Sequence, residues 1–205
     1  MEMNGESIIT SLAALGEQLD YMGGPPLELV VCGGAALTVL QMVGRRFTND
    51  VDVIALVNTN CKGSIELLSA DTLPDDVLQA AGIVARDFDL DPDWLNTKAA
   101  QSGQSLPDGL SQRWFTKSYG KRLTIHFIGR YDQIFLKLHA VVDRDADSRH
   151  LADLLSLKPS VEEMTEAARW CLIQDAGEQF ADLLRSCLRQ IGYAHVANSI
   201  EDQFH

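Results

Sequence analysis

Residues 27 to 57 read LELVVCGGAALTVLQMVGRRFTNDVDVIALV, and this order of residues restricts the fold more than any other stretch of the chain. LELVVC is an apolar, β-branched run of strand length, broken by Gly33-Gly34. AALTVLQMV is helix-like and is stopped by Gly44, and VDVIALV is a second strand. Glycines at a strand end let backbone N–H groups come close to a ligand. The helix start that follows adds partial positive charge, so phosphate suits the corner. Asp50 and Asp52 are two apart, a spacing that on a strand points both side chains to one face. Two carboxylates so placed repel unless a cation lies between them, and Mg²⁺ or Mn²⁺ shared with substrate phosphate oxygens meets that need.

The remainder divides by pattern. Residues 7 to 20 carry Ile8, Leu12, Leu15 and Leu19 on one helical stripe, and SIELLS (64 to 69) is a candidate third strand. LPDDVLQAAGIVARDFDL has helical spacing, and DPDWLNTKAA predicts another short helix at a proline-marked turn. RWFTKSYGKRLTIHFIG reads as a hairpin turning at Tyr119-Gly120-Lys121. Beyond it every segment is helical. YDQIFLKLHAVVDR places Ile134, Phe135, Leu138, Val141 and Val142 on one stripe with Lys137 at its border, and HLADLLSL repeats this on a shorter scale. Ser160 with Glu163, and Asp175 with Glu178, have the spacing of capping boxes that open two further helices. The expected fold class is α/β (α+β), with a mixed sheet flanked by helices in residues 1 to 130 and a helical region in residues 131 to 205 packed on it.

Composition narrows the function. A formal charge of −12 over 205 residues argues against nonspecific binding to a nucleic-acid backbone, yet it is compatible with an acidic site that holds a divalent metal. The start MEMNGESIITSLAALG lacks the basic residues and long apolar run of a signal peptide, and no apolar run spans a membrane, so a cytoplasmic protein is expected. Cys32, Cys61, Cys171 and Cys187 form no CxxC pair and are expected as reduced thiols, and Trp94, Trp114 and Trp170 are expected to fill the core.

Val31-Cys32-Gly33-Gly34 followed by Asp50-Val51-Asp52-Val53 resembles the nucleotidyltransferase fold. Arg46-Phe47-Thr48 ahead of the aspartates, the WLN of DPDWLNT and the later RYDQIFLKLHAVVDR with RHLADLLSL resemble bacterial proteins related to the AbiEii toxins of abortive-infection systems. The resemblance implies that Gly33 and Gly34 cradle a nucleoside triphosphate, with Arg46 and Thr48 beside it, and that Asp50 and Asp52 bind Mg²⁺. It also implies that Lys137 and Asp153 support nucleotide binding or catalysis. Many enzymes of the fold carry a third carboxylate on a later strand. Here LTIHFI has His126 in that place, and Glu66 in Ile65-Glu66-Leu67 is the other candidate. The expectation is a nucleotidyltransferase-like protein that transfers a nucleoside monophosphate to a hydroxyl on protein, RNA or a small molecule. The alternative is a catalytically silent nucleotide-binding or partner-binding member of a toxin–antitoxin-like pair, with a cognate antitoxin as partner.

Overall fold

A computed structural model describes residues 2–44, 47–59, 64–100, 105–143 and 148–201. It divides into two compact units, one of residues 1–104 with 109–129 and the other of residues 105–108 with 130–205.

The first unit is built on a six-stranded mixed sheet. Its strands are β1 (Leu27–Cys32), β2 (Val51–Thr59), β3 (Ile65–Ser69), β4 (Leu95–Asn96), β5 (Phe115–Tyr119) and β6 (Leu123–Phe127), with α1 (Gly5–Met22), α2 (Gly33–Val39) and α3 (Asp75–Asp87) around them. The strand order is β3-β2-β1-β6-β5, and β4 pairs with β2. β1 runs antiparallel to β2 and parallel to β6. Strand alternation then sorts the side chains. Leu29 and Val31 of β1, Val51 and Val53 of β2, and Leu123, Ile125 and Phe127 of β6 enter one apolar core with Ile8, Leu12, Leu15 and Leu19 of α1 and Val77, Ala80 and Val84 of α3. The register between β1 and β2 slips at Val30/Val31, so Val53 faces Val31 and Ala55 faces Val30. That bulge leaves Ile54 without a partner and keeps both halves of β2 in phase with the core.

Polar bonds fix the hairpin to α1. The Arg122 guanidinium donates to the carbonyls of Leu19, Gly23 and Pro25 at the C-terminal end of α1 and to Asp76 of α3. Asp20 accepts from the backbone N–H groups of Lys121 and Arg122. The short helix expected from DPDWLNTKAA is replaced by β4. The Trp94 carbonyl accepts from Val51 N–H and its indole N–H reaches the Ala81 carbonyl at 3.0 Å, so the segment satisfies its polar groups across the fold rather than along a helix. Of the tryptophans, Trp94 and Trp170 are buried, and Trp114 is only half-buried.

The second unit contains α4 (Arg130–Asp143), α5 (Ser148–Ser156), α6 (Val161–Gln174), α7 (Glu178–Gln190) and α8 (Ala194–Glu201). α4 packs against α5, α6 and α7, and α8 closes on α6 and α7. The Ser160 box forms as its spacing predicts. Ser160 Oγ accepts from Glu163 N–H at 3.2 Å, and Glu163 Oε2 accepts from Ser160 N–H at 2.8 Å. Arg130 also donates to Glu163 and holds that carboxyl below its usual range. The Asp175 box does not form. Asp175 Oδ1 accepts from Gly177 N–H at 2.8 Å in a local turn, and Gly177 becomes the N-cap of α7. Ser160→Ala is expected to lower stability by about 1 kcal/mol, read as a shift of the urea midpoint at constant slope. No loss would show that Arg130 alone holds the start of α6.

Candidate functional site

The sheet brings the glycine corner and the second aspartate together. Cys32, the last residue of β1, faces Asp52 of β2. Gly33 follows with φ of 64°, a left-handed conformation that costs any other L residue about 1–2 kcal/mol. A Cβ at Gly33 would lie 3.0 Å from Asp52 Oδ2. The missing side chain therefore serves two ends at once, permitting the turn and leaving room for the carboxylate. Gly34 is buried in the first turn of α2, which ends at Val39, short of Gly44 where the sequence placed its stop.

Asp50 stands just before β2, so strand alternation positions only Asp52 directly. Thr48 fixes Asp50 instead. Its hydroxyl lies 3.2 Å from both the Asp50 carbonyl and Oδ1, while its backbone exchanges two hydrogen bonds with Met3. Thr48 is itself buried, and its hydroxyl is aimed at Asp50. Asp50 and Asp52 are both half-buried. Arg46 lies outside the described residues.

A carboxylate beside a glycine corner, with a second one two residues earlier in the chain, suits a hard divalent cation that completes its shell with substrate oxygens. Among the described residues no cluster of three or more His, Cys, Asp or Glu side chains is placed to hold a metal ion.

Neither candidate for a third carboxylate extends the pair. Glu66 is exposed on β3, at one end of the strand order, where it accepts from Asn58 Nδ2 at 3.3 Å. His126 is buried on β6 opposite Val30, with Nε2 2.7 Å from Glu28 Oε2 and Nδ1 2.9 Å from Thr116 Oγ1. The Trp114 ring stacks on the imidazole with centroids 4.0 Å apart. The sequence pattern did not single out Glu28 or Thr116. The alternation of Glu28 with Val30 and Cys32 along β1 was the available signal, since it puts the glutamate on the same face as Asp52.

In the helical unit Lys137 of α4 and Asp153 of α5 form an ion pair, Nζ to Oδ2 2.8 Å, with side chains 7% and 5% exposed. Lys137 is thus not at a solvated border. Asp132, Gln133 and His139 of α4 are buried as well, so the helix carries polar groups into covered positions that a single apolar stripe did not predict.

Residues 10–187 match the family described as nucleotidyltransferase of unknown function (DUF6036). The chain belongs to this family. No curated protein and no solved structure matches. The matched span of this nucleotidyltransferase family contains Gly33, Gly34, Asp50, Asp52, Lys137 and Asp153, and also Glu28, Thr116 and His126. Among the described residues no helix is long and apolar enough to cross a membrane.

Altering the corner tests it directly. Gly33→Ala is expected to cost about 1–2 kcal/mol in stability from the left-handed φ and to push Asp52 by a few tenths of an ångström. Mg²⁺-dependent affinity for a triphosphate should then fall more than affinity for the nucleoside, measured by calorimetry with melts alongside. Equal losses for both ligands would indicate a folding defect and no phosphate corner.

Proposed function

We propose that the protein binds a nucleoside triphosphate with Mg²⁺ at the Gly33-Asp52 corner and transfers a nucleoside monophosphate to a hydroxyl acceptor. The observation that carries this reading is the 3.0 Å approach between the Cβ position of Gly33 and Asp52 Oδ2, on a chain of a nucleotidyltransferase family. Asp50 and Asp52 would hold the ion, which when bound supplies charge neutralisation for the triphosphate. The backbone at Gly33 and Gly34 would fix the phosphates, and Thr48 keeps Asp50 oriented. Lys137 and Asp153 take a supporting role in nucleotide binding by likeness to AbiEii-related toxins. A cognate antitoxin as partner and a cytoplasmic setting belong to the same proposal.

One observation favours a second reading, nucleotide binding without transfer. Both nitrogens of His126, which by the resemblance takes the place of a third carboxylate, are engaged by side chains of this chain. Purified protein incubated with each labelled nucleoside triphosphate and Mg²⁺ separates the two. Label on a protein or RNA acceptor supports transfer, and bound triphosphate with no label on any acceptor supports the second reading.

A further inference from the structure

Glu28, His126 and Thr116 form a carboxylate–imidazole–hydroxyl chain across three adjacent strands, and its direction follows from what each group can donate. A carboxylate oxygen accepts, so the bond from His126 to Glu28 Oε2 places the ring hydrogen on Nε2. A neutral ring then presents its lone pair at Nδ1, and the Thr116 Oγ–H must be the donor across the 2.9 Å contact. The imidazole is buried beneath Trp114, whereas Thr116 is exposed on β5, at the other end of the strand order. On an exposed residue, a hydroxyl whose proton points at a base held by a carboxylate has the arrangement of an activated nucleophile.

We infer that Thr116 is a hydroxyl acceptor for nucleotidyl transfer, presented to the Gly33-Asp52 corner of a second copy of this chain. The inference rests on the proposed transferase reading and names its acceptor. In the step, a bond forms between Thr116 Oγ and the α-phosphorus. The bond from that phosphorus to the bridging oxygen breaks, pyrophosphate leaves with the electron pair, and the Thr116 proton passes to His126 Nδ1. Sheet spacing decides between the chain's own corner and another's. Asp52 faces Cys32, His126 faces Val30 and Thr116 faces His126, so about 16 Å separates the Cα atoms of Asp52 and Thr116. Side chains and a metal ion bridge only part of that span, so a phosphorus gripped next to Asp52 would remain outside the ~3–3.5 Å of a near-attack geometry with the same chain's Thr116. An exposed hydroxyl on an outer strand has no such restriction toward a second molecule. Glu28 is a positioning residue here, because it acts only through the imidazole.

The test mixes the wild-type chain with a heavier, tagged Asp50→Asn/Asp52→Asn chain, ATP, GTP, CTP, UTP and Mg²⁺, and reads intact mass and peptide masses of the tagged copy. One nucleoside monophosphate on its Thr116 is expected, retained in Thr116→Ser and lost in Thr116→Val, whose melting point should match that of its parent. His126→Phe in the tagged copy should slow labelling about 100-fold. Glu28→Gln, which keeps an acceptor for the Nε2 hydrogen, should retain labelling that Glu28→Leu loses. Triphosphate bound by the wild-type chain with no mass gain at Thr116, or with gain only elsewhere, overturns the inference and leaves the transferase reading intact. Absence of any Mg²⁺-dependent triphosphate binding overturns both.

Discussion

Replacing Asp50 and Asp52 together by asparagine is expected to reduce Mg²⁺-dependent triphosphate affinity at least 100-fold while leaving the fold in place. The affinity loss follows from the ligand set. The two carboxylates are the anionic oxygen donors of the proposed site, and an amide oxygen is a far weaker partner for a hard cation. A 100-fold loss corresponds to about 2.7 kcal/mol. The fold should survive because asparagine keeps an oxygen at each position. The amide oxygen introduced by Asp50→Asn can still accept from Thr48 Oγ–H, and the amide introduced by Asp52→Asn fits the space that Gly33 leaves open. Calorimetry with and without Mg²⁺, next to a thermal melt, gives both quantities. Undiminished Mg²⁺-dependent affinity in a variant that melts normally would move the metal and the phosphates elsewhere.

Lys137→Met should destabilise the protein by about 3–5 kcal/mol, an effect on the fold that a surface lysine would not produce. The methionine can follow the path of the lysine stem, so packing along α4 is largely kept. What changes is Asp153, whose buried carboxylate loses the ammonium 2.8 Å away. Removing one partner of a covered ion pair leaves the other with its desolvation cost and without its compensating charge. Asp153→Asn added to Lys137→Met should therefore recover a substantial part of the loss, since the second change removes the stranded charge. A double-mutant cycle from urea midpoints measures this directly. Additive losses would show that the pair is not coupled. A Lys137→Met midpoint within 0.5 kcal/mol of wild type, an approximate bound for exposed positions, would mean that solvent reaches the pair.

The two sites differ in how far the sequence discloses them. Spacing singled out Asp50 and Asp52 as same-face candidates, but Asp50 precedes β2 and is held by Thr48, whereas the expectation for Lys137 reversed once burial was known. On sequence alone Lys137 bordered an apolar stripe, where a long side chain ordinarily carries its charge to water. Helical periodicity describes one face of one helix and contains nothing about what lies against the others. That Asp132, Gln133, Lys137 and His139 are all covered is decided by packing.

Features that depend on neighbours along the chain could be read from the order of residues alone. The β1, glycine corner, α2 and β2 order, the β5–β6 hairpin about Gly120, and the Ser160 cap are local, set by backbone freedom at glycine and by side chains within three residues of their partners. Even locally, competition between equally near partners escaped it, as at Asp175, where a turn to Gly177 took the carboxylate that a helix cap would have used. Long-range packing set the parallel pairing of β1 with β6, the bulge at Val30/Val31 and the conversion of the Trp94 segment into β4. Strand register is set by matching two apolar faces far apart in sequence, and a one-residue slip inverts every side chain. For that reason Glu28 and His126, 98 residues apart, could be recognised as partners only after the sheet had brought them to 2.7 Å.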